Sequence, residues 1–153
     1  MLRERLNDRL RSAMKGREGR ALSTVRLILT AIKDRDIAAR GKGNADGISD
    51  QDILQVLQTM VRQRHESIAL YEQGGRAELA EQEAEEITII ESFLPEPLDE
   101  AAAEEAIRSV VGEIGASSIK DMGRTMAILR ERYAGQMDFA KASAVVKEQL
   151  NAG

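Results

Sequence analysis

Apolar residues recur along the chain at spacings of three and four, the period of a helix with one buried face. From Met1 to Lys15 the stripe is Leu2, Leu6, Leu10, Ala13 and Met14, and Gly16 and Gly19 interrupt it. A second helix, from about Ala21 to Ala39, carries Leu22, Val25, Leu29 and Ile32, and its extra apolar positions Leu27 and Ile28 predict deep burial. The stretch Arg40 to Gly47 is rich in helix breakers and reads as a loop. Ser49, followed three residues on by Asp52, is a variant of the capping box and opens a third helix. That helix carries Ile53, Leu57, Met60, Val61, Ile68 and Tyr71 and is expected to stop at Gly74-Gly75. A fourth, very acidic helix from about Arg76 to Phe93 buries Leu79, Ile87 and Ile90.

The segment Leu94-Pro95-Glu96-Pro97-Leu98 holds both prolines of the chain. Proline fixes its own backbone and pushes the preceding residue out of the helical region, so this segment reads as an extended hinge. Beyond it, Asp99 caps a helix with Ala103, Ile107, Val110, Val111 and Ile114 inward, ended by Gly115. Ser118 and Asp121 cap the next, whose apolar set is Ile119, Met122, Met126, Leu129 and Tyr133. After Gly135, Asp138 caps the last helix, with Phe139, Ala142, Val146 and Leu150 inward. The expected architecture is all-α: an N-terminal domain of about four helices over 1–94, a hinge at 95–98 and a three-helix domain over 99–153.

Composition narrows the class without naming a job. Of 153 residues, 42% are hydrophobic and only 3% aromatic, so any core is aliphatic. Such a chain is globular rather than disordered, and too poor in turn residues and β-branched runs for a sandwich or barrel. With no cysteine, disulfides, zinc ribbons, iron–sulfur clusters and thiol catalysis are excluded together. No run approaches the roughly 18 apolar residues that span a bilayer, and Met1 to Arg20 lacks a signal-peptide core, so a cytoplasmic location with no membrane association is expected.

Charge is unevenly spread. Residues 1–42 carry twelve Lys/Arg against five Asp/Glu, residues 43–105 three against sixteen, and residues 106–153 seven against five, within a net −4. The blocks reflect either pairing within the molecule or separate basic surfaces.

No self-contained active site is visible. The glycines at 41, 43 and 47 lack the strand and the Lys-Ser/Thr of a phosphate-cradling loop, and there is no nucleophile elbow. His65 has no second histidine at metal-pair spacing and reads as a surface residue. Glu81, Glu83, Glu85, Glu86 and Glu91 spread around their helix as a solvated face. No catalytic residue, metal ligand or cofactor is therefore assigned. The basic residues are more suggestive. Lys120 and Arg124 fall opposite the apolar stripe of the sixth helix, Arg132 flanks the Gly135 turn, and Lys141 projects from the last helix. Such a set contacts phosphates through charge without reading bases, or simply solvates the surface. No aromatics are interleaved for base stacking.

Taken in order, these residues resemble the YqeY-like proteins, nearly end to end. The resemblance rests on Ala13-Met14-Lys15, Arg26-Leu27, Ala31-Ile32-Lys33, Gln63-Arg64, Gly75-Arg76, Leu79-Ala80, Glu83 and the Leu94-Pro95 hinge. It is densest from Gly115 to Met126 and continues through Gly135, Asp138 and Val145-Val146-Lys147. The C-terminal part of that family is similar to the tail domain of the B subunit of the tRNA-dependent Asp/Glu amidotransferase. The resemblance implies a helical domain joined to a three-helix domain, and a tRNA-associated role with Lys120, Arg124, Arg132 and Lys141 as candidate nucleic-acid contacts. Around Gly135 the chain has Ala134 and Gln136, where the family commonly has basic residues. Glutamine-dependent carbon–nitrogen ligase activity is associated with the amidotransferase, but its catalytic and ATP-binding parts have no counterpart here. Three readings follow: an accessory protein that binds tRNA or joins an RNA-linked protein complex, a protein–protein adaptor with no nucleic-acid role, and a stand-alone ligase.

Overall fold

The computed structural model describes residues 1–152, and all regular structure among them is helical. The chain divides into two compact units, Met1–Pro95 and Glu96–Gly153.

The first unit contains α1 (Leu2–Lys15), α2 (Gly19–Gly41), α3 (Asp50–Gln73) and α4 (Ala77–Glu91). The longest contact runs between α3 and α4, with α1 on α2 and α2 also against α4. Leu6, Val25, Ile28, Ile53, Leu57 and Ile90 are fully buried at its centre, and Phe93 supplies the aromatic of this cluster. Burying each such side chain is worth roughly 1.5–3 kcal/mol, so a core that is aliphatic apart from Phe93 holds the unit. Ser49 caps α3 as expected, its hydroxyl accepting the Asp52 N–H at 3.2 Å.

Two sequence expectations shift here. Met14 and Leu27, read as inward-facing, are 54% and 48% exposed. The reason is angular: each lies about 100° from a fully buried neighbour, Ala13 and Ile28 respectively, and the buried sector is narrower than the apolar run. α1 ends before Gly16 as expected, but α2 starts at Gly19 rather than at about Ala21 and runs on through Arg40 and Gly41, so the loop is shorter than expected.

The second unit contains α5 (Glu100–Ile114), a 3₁₀ turn (Ile119–Asp121), α6 (Met122–Arg132) and α7 (Phe139–Ala152). α7 packs on α5, on α6 and on the 3₁₀ turn. Ile107, Val110, Leu129 and Val146 form the centre, with Met126, Met137, Ala142 and Leu150 around them. Met126 is 4% exposed and Met122 partly buried against the same cluster, so both thioethers serve packing. Asp99 caps α5 through the Ala102 N–H at 2.7 Å, and Gly115 closes it in the left-handed conformation.

The residues around Pro95 and Pro97 pack within the unit to which each belongs. Leu94 packs on the first core and Leu98 on the second. The Leu98 N–H also donates to the Gln136 carbonyl at 2.9 Å, and Gln136 Nε2 donates to the Glu96 carbonyl at 3.1 Å. Gln136 thereby ties the first residues of the second unit to the α6–α7 turn. That turn needs Gly135, which is buried at φ +79°, a conformation a side chain would strain.

Candidate nucleic-acid interface

The sequence places Lys120 and Arg124 on one continuous helix, but the structure separates them. Residues Ile119–Asp121 form a 3₁₀ turn, which advances about 120° per residue instead of 100°. Ile119 consequently leaves the apolar stripe and is 46% exposed. The turn is held by Asp121, whose Oδ2 accepts the N–H groups of Ser117 at 2.9 Å and Ser118 at 3.3 Å. Those two backbone donors, more than the nearby Arg124, keep the Asp121 carboxyl below its ordinary pKa.

The four candidate cations are all exposed, but they are not equivalent. Lys120 stands on the turn with no hydrogen bond or ion pair among the described residues. Arg124, in the first turn of α6, gives Nη2 to Asp121 Oδ1 at 3.2 Å and to the Ile114 carbonyl at 3.4 Å, long contacts that leave most of its donors facing water. Arg132 is engaged quite differently. Its Nη1 and Nη2 donate to Glu113 Oε2 at 2.6 Å and Oε1 at 2.9 Å, a two-point clasp from the end of α6 to the end of α5. The clasp lowers the Glu113 pKa and raises that of Arg132. Lys141 lies in the first turn of α7, where Asp138 Oδ1 accepts the Ala140 N–H at 3.0 Å and the Lys141 N–H at 3.3 Å. Its ammonium has no partner among the described residues.

Arg124 and Lys141 therefore sit where helices begin, and Lys120 stands on the turn just before α6. A cation in a first turn opposes the helix macrodipole and adds nothing to helix stability, while the N-terminal partial charge reinforces its attraction for anions. Lys120, Arg124 and Lys141 present such charge to solvent, and Arg132 spends its own on Glu113.

Two charged sites escaped the sequence reading. Arg3 Nη1 and Nη2 donate to the two carboxylate oxygens of Asp36, both at 2.8 Å, and Nη2 also donates to the Ile48 carbonyl at 2.8 Å. Asp36 is 6% exposed and also accepts the Ile48 N–H at 2.8 Å, so it gathers α1, α2 and the loop before α3. In the other, Arg64 Nε donates to Glu86 Oε2 at 2.9 Å and lies 3.8 Å from Glu83 Oε2, all three side chains mostly buried. Glu83 and Glu86 thus leave the solvated face to which the sequence assigns them. Burial first, and the Glu86 charge second, push the Glu83 pKa up. Both sites hold helices together.

His65 is exposed on α3, and no group of three potential metal ligands occurs among the described residues. No helix there is long and apolar enough to cross a membrane.

Residues 3–150 match the model of the Yqey-like protein family. The chain belongs to that family. Similarity also extends to an uncharacterized protein of Schizosaccharomyces pombe, 29% identical over 91 residues, which are 60% of this chain and 70% of that one. A second relative is Altered inheritance of mitochondria protein 41, mitochondrial, of Kluyveromyces lactis, 30% identical over 88 residues. That match takes in 58% of this chain but only 45% of the relative, so the chain spans under half of that protein's length. The Yqey-like match covers both units, and Lys120, Arg124 and Lys141 of the α5–α7 unit lie within the matched range.

Proposed function

We propose that this Yqey-like protein is a tRNA-associated accessory protein, whose C-terminal unit lays Lys120, Arg124 and Lys141 on backbone phosphates. The observation that carries the reading is the exposure of these three cations, Arg124 and Lys141 in the first turns of α6 and α7 and Lys120 on the turn before α6, while Arg108 and Arg132 are taken up by Glu105 and Glu113. The contacts position RNA rather than read it, because none of the three has an aromatic beside it for stacking. In this reading the chain performs no amide transfer by itself. The sequence resemblance implies likeness to the amidotransferase tail, and on this reading what carries over is the part that holds tRNA.

The adaptor reading has one observation in its favour. Leu70 is 68% exposed near the end of α3, a large apolar side chain with no packing role. Crosslinking in cell extract, with recovery of RNA and protein together, separates the two. tRNA enriched over ribosomal RNA supports the accessory role, whereas recovery of protein alone supports the adaptor.

We also assign the chain to the cytoplasm. The name of the Kluyveromyces lactis relative speaks of mitochondria, so fractionation that finds this chain inside that organelle overturns the assignment.

A further inference from the structure

The first unit holds a basic surface that the C-terminal reading does not use. On α2, Arg26, Lys33 and Arg40 stand seven residues apart. At 100° and 1.5 Å per residue, they fall within about 40° of one another on one side and span about 21 Å of helix. All three are exposed, and their centre lies about 80° around the helix from the buried Val25, about 100° from Ile32 and about 140° from Ile28.

Only Arg40 of these three is shown acting on a carboxylate of the chain: its charge helps lower the pKa of Asp36, four residues back, whose main partner is Arg3. Arg26 and Lys33 have no hydrogen bond or ion pair among the described residues. Arg40 gives only Nε to the Ala45 carbonyl at 3.4 Å. The carboxylates of α2 are Asp34 and Asp36, and Asp36 belongs to Arg3. Arg26 has no carboxylate three or four residues away on α2 to serve as a helical partner. The acidic α4 packs against α2, but the ion pair between them is Arg20 with Glu85, away from the stripe. A row of like charges on one helix face raises the energy of the free protein, and a linear polyanion relieves that cost.

The chemistry of the stripe selects among polyanions. α2 has no aromatic residue, so unpaired bases find nothing to stack on. A straight row of point charges instead suits a backbone whose phosphates are held in fixed order by base pairing. We propose that the exposed face of α2 is a second nucleic-acid surface, on which Arg26, Lys33 and Arg40 contact backbone phosphates of base-paired RNA. It lies in the other unit and stands or falls separately from the Lys120–Arg124–Lys141 assignment.

The test uses the full chain and a labelled RNA duplex of about twenty base pairs, titrated at several salt concentrations. The variant carries Arg26→Gln, Lys33→Gln and Arg40→Gln. A control of equal charge change carries Arg62→Gln, Arg76→Gln and Arg130→Gln. The α2 variant should bind about tenfold or more weakly, with its log–log salt slope shallower by about 2 to 3, while the control stays within about twofold of wild type. Circular dichroism should show the same helicity in all three proteins. Equal weakening of variant and control overturns the proposal, as does no duplex binding by wild type. Two further arms, a single strand of the same length and phosphatidylserine vesicles, test the class of partner. If either binds more tightly than the duplex through the same three residues, the surface serves that anion and duplex RNA is the wrong occupant.

Discussion

Arg132 and Glu113 face each other across the ends of α6 and α5 and share two parallel hydrogen bonds, at 2.6 and 2.9 Å. A guanidinium held at two points by a carboxylate is not available to a phosphate unless that clasp opens. Arg132→Gln is therefore expected to leave tRNA affinity within about twofold of wild type, whereas Lys120→Gln with Lys141→Gln weakens it for all tRNAs alike. Filter binding with a mixed tRNA pool checks both.

The Arg3–Asp36 pair makes stability depend on acid. Hydrogen bonding from Arg3 is the main cause that holds the Asp36 pKa at about 2, below its ordinary 3.8, with the Ile48 N–H adding to it and burial opposing. A depressed carboxyl pKa contributes stability that is complete above the unfolded value and lost as pH falls toward the folded one. The loss should thus appear between about pH 4 and pH 2 and amount to roughly 2 kcal/mol. Asp36→Asn should remove that part of the acid dependence in denaturant titrations. Gly47→Ala should destabilise at every pH, since its backbone sits at φ +82° and a Cβ would meet the Asp36 carboxylate at 2.4 Å.

Glu83 carries the opposite sign. Its folded pKa is raised, so its charge costs stability at neutral pH, and the cost disappears as pH falls below the unfolded value near 4. Glu83→Gln should raise the melting temperature at about pH 7 and leave it unchanged at about pH 3.5. Arg64→Ala should do the reverse at neutral pH, leaving two mostly buried carboxylates facing each other.

Thr24 is fully buried on α2, and its hydroxyl oxygen has no hydrogen-bond partner. Thr24→Val keeps the shape and removes the unpaired group, so it should stabilise the protein by about 1 kcal/mol. Chemical denaturation of the two proteins measures this directly.

The helical stripes were legible in the sequence because burial repeats with the helix period. Val25, Ile53, Leu57, Ile90, Ile107 and Leu129 all lie inward as their spacing implies. What the pattern hid was charge placed in apolar register. Asp36 follows Ile32 by four residues and Arg64 follows Met60 by four, so both continue a buried stripe. A charge in such a position requires a buried partner, and that signal was readable, although the partner's identity comes only from tertiary packing. The turn at 119–121 was hidden for another reason. A wheel drawn at 100° per residue assumes one helix type throughout, and the hydrogen bonds of Asp121 to Ser117 and Ser118 impose a tighter one. For the candidate interface, sequence identified exposed cations correctly but gave no means of separating the engaged Arg132 from the free Lys120 and Lys141.

The most direct test of the tRNA-associated role is the salt dependence of binding by the full chain to a mixed tRNA pool. Wild type is compared with a variant carrying Lys120→Gln, Arg124→Gln and Lys141→Gln. Each phosphate contact adds about 0.7 to 0.9 to the log–log slope, so losing three should flatten it by roughly 2 to 3 at every tRNA tested. A variant whose affinity and slope equal those of wild type contradicts the account, and the C-terminal unit then holds no tRNA through this surface.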